Sequence, residues 1–400
     1  MTGMTGMPGQ LALGELPEEA FGVALAKLPG IGPARLLALL RRWPAAEAWE
    51  RVRAGSAVHD GEIAAVLGRD VAGIGALWRR ASARADVTRS WQAHLDAGIG
   101  VHVLGGPSYP AALACDIEPP GVLFTRGDVG ALSRRRVAIV GTRRCTRYGR
   151  DIAFELGHDL AANGVTVVSG LALGVDGAAH AGALSAGRPG TVAAVVGSGL
   201  DVVYPRRNAA LWSEVGTVGV LLSEAPLGTA PESWRFPVRN RVIAALAEVV
   251  VVVESHSKGG SLHTVDAAGA RGRPIMAVPG NVRSSASAFT NSLLADGCAP
   301  ARDALDVFVA LGLSCGSGNG PSDTRVQPDA KGRAVLEAIG WEPATLEEVV
   351  ARSGLPPAQA SVALDHLERD GWVAGRTGWW EQLSPAVARS LAATGKMPRP

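Results

Sequence analysis

Between residues 136 and 311 the chain alternates short β-branched apolar runs with longer segments of helical spacing. The runs at 137–140, 165–168, 192–196, 218–222, 248–253 and 275–278 predict strands. They are almost continuously apolar rather than alternating. Both faces of each strand should therefore be buried, which predicts a mostly parallel sheet covered by helices. A further run at 101–104 predicts a strand ahead of the punctuation at Tyr109-Pro110 and Pro119-Pro120. Upstream, residues 18–97 are rich in Ala, Leu and Arg, with Gly or Pro between short periodic runs, and predict helices. Downstream, residues 330–383 predict a small helical domain that ends in a hairpin. The expected organisation is a disordered N-terminus (1–17), a helical domain (18–97), an α/β domain (98–312), a linker (313–329), a second small domain (330–384) and a tail (385–400).

Composition adds limits. With 47% hydrophobic residues, the 400-residue chain can bury a sizeable core. A formal charge of +2 is too small to mark the whole protein as nucleic-acid-binding, so charge has to be judged locally. Lysine occurs only at Lys27, Lys258, Lys331 and Lys396, so nearly all positive charge is arginine, which suits forked phosphate contacts. The four cysteines, Cys115, Cys145, Cys298 and Cys315, lack C-x-x-C spacing and predict neither a zinc site nor a disulfide framework. The N-terminus has no signal-peptide pattern, and the most apolar stretch, 242–253, is too short to span a bilayer. A cytoplasmic location is expected.

The 51 glycines matter through their placement. In an open parallel sheet, ligands bind beyond the carboxyl ends of the strands. Three such ends carry small residues here: Gly141-Thr142-Arg143-Arg144, Ser169-Gly170-Leu171-Ala172-Leu173-Gly174, and Gly197-Ser198-Gly199 followed by Arg206-Arg207-Asn208. Glycine lets a ligand approach the backbone, and N–H groups at a helix start attract anions. Arginines mark the same places: Arg143, Arg144, Arg147 and Arg150 at the first end, Arg206 and Arg207 at the third. Phe236-Pro237-Val238-Arg239-Asn240-Arg241 adds two more. A dinucleotide fold is a poor match, because no strand is followed by G-x-G-x-x-G, and a Walker loop is absent.

Single residues carry competing readings. An ion pair with a helix-borne acid such as Glu155 competes with phosphate binding at Arg143. Asp176 reads as a helix N-cap and His180 as a packed histidine. Phe236 and Trp234 read either as base-stacking platforms or, in preference, as buried aromatics at the sheet edge. Glu254 reads as a pocket-facing acid or an exposed strand terminus.

The order of these motifs resembles the DprA/Smf family. The resemblance rests on Val137-Ala138-Ile139-Val140-Gly141-Thr142-Arg143, Val168-Ser169-Gly170-Leu171-Ala172 with Asp176 and His180, and Gly197-Ser198-Gly199-Leu200-Asp201 with Tyr204-Pro205. It continues through Phe236-Pro237 with Arg239-Asn240-Arg241, Gly260-Ser261-Leu262 with Thr264, Ala277-Val278-Pro279-Gly280-Asn281, and Thr290-Asn291 with Asp296-Gly297. It implies an extended Rossmann fold that binds single-stranded DNA, forms a homodimer, protects incoming DNA in natural transformation and loads the recombinase RecA. The implied DNA contacts are Arg143, Arg206 or Arg207, and Arg239 or Arg241. With their neighbours, the expected site comprises Gly141, Thr142, Arg143, Arg144, Arg147, Ser169, Gly170, Gly197, Ser198, Gly199, Arg206, Arg207, Asn208, Phe236, Arg239, Asn240, Arg241, Gly260 and Ser261. No catalytic residue, cofactor or metal is expected. His263 and Phe289 depart from the family pattern, and packing is the expected role of Phe289.

An enzymatic reading competes. Related phosphoribohydrolases carry P-G-G-x-G-T-x-x-E and cleave nucleoside monophosphates. The comparable Lys258-Gly259-Gly260-Ser261-Leu262-His263-Thr264-Val265-Asp266 lacks the second glycine pair and the final Glu. At the flanks, Leu28-Pro29-Gly30-Ile31-Gly32 has the form of a helix-hairpin-helix turn, as in SAM-like domains. The segment Thr345 to Trp379 resembles a winged helix. Its second helix carries Asp365, Glu368 and Asp370, which favours a protein-contact or regulatory role over DNA reading.

Overall fold

The computed structural model describes residues 16–313, 325–340 and 342–383, with 385, 387 and 388 beyond them. The expected disordered N-terminus and most of the expected linker and tail therefore lie outside the described residues.

The chain opens with helices α1 (Glu18–Ala26), α2 (Gly32–Arg42), α3 (Ala45–Ala54), α4 (Gly61–Leu67), α5 (Val71–Arg84) and α6 (Val87–Asp96). Strands β1 (Gly100–Val103) and β2 (Val122–Gly127) flank the short helix α7 (Ala111–Ala114). Then β3 (Arg136–Val140), α8 (Arg147–Ala162), β4 (Thr166–Ser169), α9 (Val175–Ser185) and β5 (Val192–Val196) follow in strict alternation. The pattern continues through α10 (Ala209–Val218), β6 (Val220–Ser223), α11 (Arg235–Leu246), β7 (Val249–Val252), α12 (Leu262–Gly269) and β8 (Ile275–Ala277). Helix α13 (Ala288–Ala295), β9 (Ala299–Pro300) and α14 (Ala304–Ala310) close this unit.

These nine strands form one sheet in the order β1-β2-β6-β5-β4-β3-β7-β8-β9. From β6 to β9 every pairing is parallel, whereas β1–β2 and β2–β6 are antiparallel. Val137, Ile139, Val167, Val192, Ala194, Val249 and Val251 pack into the core on one face, and Ala138, Val168, Ala193, Val195, Val250 and Val252 into the core on the other. Continuous apolar strands thus reflect two-sided burial, as their pattern predicts. Strand β2 was not expected. Its Thr125 and Arg126 interrupt the apolar run; the buried Thr125 hydroxyl is satisfied by a hydrogen bond with His102 Nε2 at 2.9 Å. The sheet order reverses direction at β3, which has β4 on one side and β7 on the other. That reversal is the topological switch point of a Rossmann-like sheet.

The N-terminal helices share the apolar core of the sheet: Leu25, Leu39, Trp49 and Trp78 belong to the same cluster as Val137 and Val251. The α1–α2 turn has the expected glycine geometry, with Gly30 at φ 67° and Gly32 at φ 55°. The indole N–H of Trp78 holds this turn by donating to the Pro29 carbonyl at 3.1 Å.

The C-terminal elements are α15 (Ala330–Ile339), β10 (Ala344–Thr345), α16 (Leu346–Ser353), α17 (Pro357–Arg369), β11 (Val373–Arg376) and β12 (Trp379–Gln382). The three strands form a second sheet in the order β10-β12-β11, which makes a winged helix. Thr345 and Glu348 form a capping box at the start of α16. Arg325, placed in the linker by composition, is instead anchored here: it stacks 3.7 Å from the Trp372 ring and donates to the Gly371 and Leu383 carbonyls. Phe154 of α8 packs with Ala374, Leu383 and Val387 of this domain. No helix among the described residues is long and apolar enough to cross a membrane.

Candidate nucleic-acid interface

A crevice of about 780 Å³ opens at the switch point, beyond the carboxyl ends of β3 and β7. Its walls come from the turn after β3, the loop after β7, and the start of α11.

The β3 turn is built by one buried acid. Glu254, 1% exposed and two residues past the end of β7, offers its carbonyl to the Thr142 N–H at 2.7 Å. Its carboxylate accepts from the Thr146 N–H at 2.7 Å and from the Thr146 hydroxyl at 2.6 Å. Glu254 is thus neither pocket acid nor exposed terminus; it braces both ends of the loop. A Cβ at Gly141 would lie 2.7 Å from the Glu254 carbonyl, so only glycine fits there. The loop between the two anchor points carries Arg143 and Arg144 outward, both exposed. Among the described residues neither enters an ion pair, so the expected alternative of an Arg143–Glu155 pair is not formed, and the Arg143 guanidinium lies 5.1 Å above the Phe236 ring. Thr146 also caps α8 by accepting from the Gly149 N–H at 3.2 Å.

The second turn is a buried support. The Ser169 hydroxyl donates to the Ile139 carbonyl at 2.6 Å, and Ser169 is fully buried. Asp176 is not the N-cap of α9, a position held by Gly174. It sits within the first helical turn and accepts from the Gly170 N–H at 3.1 Å. From the other side, Arg239 donates to the Gly170 carbonyl at 2.9 Å and to the Val195 carbonyl. Burial pushes the Arg239 guanidinium down to about 10 and the Asp176 carboxyl upward, while the opposite charge of each partner resists both shifts. Between these anchors the backbone is strained: Leu171 has φ 53° without being glycine. His180 is fully buried, and burial pushes its imidazole down to about 4.

The third turn divides. Gly197-Ser198-Gly199 is buried and packed: a Cβ at Gly197 would meet the Phe236 ring at 3.2 Å, and one at Gly199 the Pro226 carbonyl at 2.7 Å. The Ser198 hydroxyl donates to the Val202 carbonyl at 2.8 Å. These glycines shape the chain and present no open N–H cradle, unlike the sequence expectation. Arg206 and Arg207 stand exposed on a 3₁₀ turn, and Asn208 fastens that turn by donating to the Leu171 and Ala172 carbonyls at 2.9 and 3.1 Å.

Helix α11 brings Phe236, Arg239 and Asn240 to the crevice. Phe236 is half-buried, with the Tyr204 ring 5.4 Å away, and Asn240 donates to the Gly260 carbonyl at 3.2 Å. Arg241 points elsewhere. It does not line the crevice but pairs with Glu224 and donates to the Glu118 carbonyl at 2.6 Å, because successive residues on a helix face different directions. Gly260 is exposed at the rim, whereas the buried Ser261 hydroxyl donates to Ser255 at 2.6 Å. Arg147 is also diverted: it pairs with Asp151 at 3.3 Å and with Glu381 of the winged helix. His263 lines the crevice, while Phe289 packs against the core.

The structure therefore gathers Gly141, Thr142, Arg143, Arg144, Phe236, Arg239, Asn240, Gly260 and Ser261 around one cavity. Arg239 reaches that cavity already committed to backbone carbonyls. Tyr204 and His256 line it as well, and sequence reasoning did not single them out; the Tyr204-Pro205 motif was the available signal for the first.

Comparison with known proteins bears on this geometry. Residues 101–312 match the family model for DNA recombination-mediator protein A, and residues 320–378 match the DprA winged helix domain. The DNA processing protein DprA of Bacillus subtilis is 37% identical over 220 residues, covering 55% of this chain and 73% of that protein. Protein Smf of Escherichia coli is 34% identical over 286 residues, covering 70% and 76% respectively. The crystal structure of DNA processing protein A from Streptococcus pneumoniae aligns with a TM-score of 0.59 and 29% identity, over 74% of this chain and 98% of that one. The chain belongs to the DprA/Smf family of DNA-processing proteins.

Proposed function

We infer that this chain binds single-stranded DNA in the crevice through backbone phosphates, without sequence preference. The observation that carries the reading is the Glu254-braced loop, which holds Arg143 and Arg144 outward, neither in an ion pair among the described residues, beside an aromatic floor of Phe236 and Tyr204. Cations without acidic partners attract phosphate, and aromatic faces accept any base, so the pair gives affinity without base reading. Arg206 and Arg207 do not line the crevice but stand exposed two and three residues after Tyr204, which does, and would add positive charge for a longer strand.

The bound strand is shielded and passed to the recombinase RecA, with the chain acting as a cytoplasmic homodimer and not as an enzyme. The recombination-mediator family model and the DNA-processing relatives support this reading. Among the described residues that line the crevice, Asp176 supplies the carboxyl; it is engaged by the Gly170 N–H and lies near Arg239, which leaves it poorly placed to attack a glycosidic carbon.

The test is fluorescence anisotropy with labelled oligothymidine across a salt series. Affinity should fall steeply with salt, by a slope of about −0.7 per phosphate contacted. Equal affinity of the parent and Arg143→Ala would remove the proposed site. Release of free base from nucleoside monophosphates would replace the non-enzymatic reading.

A further inference from the structure

Trp234 is 46% exposed, more open than Tyr204 in the crevice wall at 40%. The sequence favours a buried aromatic at this position, so its exposure needs a reason. Its neighbours Ser233 and Phe236 line the crevice. Trp234 itself faces the adjoining side, with Arg235 and Gly197, toward Pro33 at the start of α2. It therefore stands on the ridge between the crevice and the N-terminal hairpin.

The ring is also held in place. Its indole N–H donates to the Glu232 carboxylate at 3.1 Å, and the Arg235 guanidinium lies 4.4 Å from the ring centroid. Arg235 is in turn paired with Glu232 at 3.0 Å. A large apolar surface fixed in one orientation, with its adjacent cation neutralised locally, is suited to stacking and poorly suited to phosphate binding. A buried aromatic would contribute to the fold, but nearly half of this one stays in water.

We propose that Trp234, steadied by Arg235 and Glu232, is an outer stacking platform for a nucleobase of the DNA strand as it leaves the crevice toward the α1–α2 hairpin. The proposal rests on the crevice reading above and adds a base contact outside it. It lengthens the occupied site without adding a phosphate contact.

Two oligothymidines separate the possibilities: one of about 6 nucleotides, confined to the crevice, and one of about 30 that runs beyond it. Trp234→Ala should weaken the long oligonucleotide about tenfold, leave the short one unchanged and leave the salt slope unchanged. Trp234→Phe should recover most of the lost affinity. Arg143→Ala should weaken both lengths and flatten the slope. If Arg143→Ala behaves so while Trp234→Ala matches the parent on the long strand, the platform is wrong and the crevice stands. Equal loss on both lengths in Trp234→Ala also overturns the platform, because it would act through the fold of the crevice. If Arg143→Ala matches the parent at both lengths, the crevice itself fails and the platform with it.

Discussion

Two arginine-bearing segments face the same switch point and do opposite work. In the β3 turn, Arg143 and Arg144 are exposed and have no ion-pair partner among the described residues. In α11, Arg239 is 7% exposed and bonded to two carbonyls, and Arg241 is paired with Glu224. On paper, Gly-Thr-Arg-Arg and Phe-Pro-Val-Arg-Asn-Arg are equally basic. The difference lies in what surrounds them. A loop braced at both ends by Glu254 leaves its middle in water, whereas a helix packed on the sheet turns its arginines into the protein. A buried guanidinium must be hydrogen-bonded and paired, and once it is, little of it remains for a ligand.

Arg239 is where the two segments should differ most. Arg239→Ala leaves the Gly170 and Val195 carbonyls without their buried donor and removes a positive charge acting on Asp176. Each unsatisfied carbonyl costs about 1–3 kcal/mol, so stability should fall by about 3–5 kcal/mol, read as a shifted urea midpoint. A stable Arg239→Ala with weakened DNA binding would reverse the assignment of the two segments.

Arg241→Ala should follow the same direction with about 3 kcal/mol lost, since Glu224, whose carboxyl burial already pushes upward, would lose its pair. Its affinity for oligothymidine should match the parent.

The buried region should also carry a pH signature. His180 is held at about 4 against an ordinary 6.5, so below pH 6.5 the unfolded chain binds a proton that the folded chain refuses. Its contribution of about 3 kcal/mol is full above pH 6.5 and is lost as pH falls toward 4. His180→Gln should flatten that part of a stability-versus-pH profile; an unchanged profile would mean the histidine is not held neutral.

The smallest effect in free energy belongs to the open segment. Arg143→Ala should leave the urea midpoint in place and weaken oligonucleotide binding about tenfold, or about 1.4 kcal/mol. The double change with Arg144→Ala should flatten the salt slope further.

The sequence by itself determined the layered α/β architecture, because near-continuous Val and Ala runs such as 137–140 and 249–252 can only be satisfied by burial on both faces. It also determined the winged helix, through the Thr345–Glu348 capping box and the Gly-Trp hairpin. It placed the candidate site at the carboxyl ends of the strands and put Arg143 first. Tertiary structure decided the rest, because burial and partner choice depend on residues far apart in the chain. Glu254 reaches back 108 positions to Thr146, Arg239 reaches 69 to Gly170, and Arg241 reaches 123 to Glu118. No local pattern encodes such pairings. Only the packed sheet shows which arginines it needs for itself and which it leaves exposed.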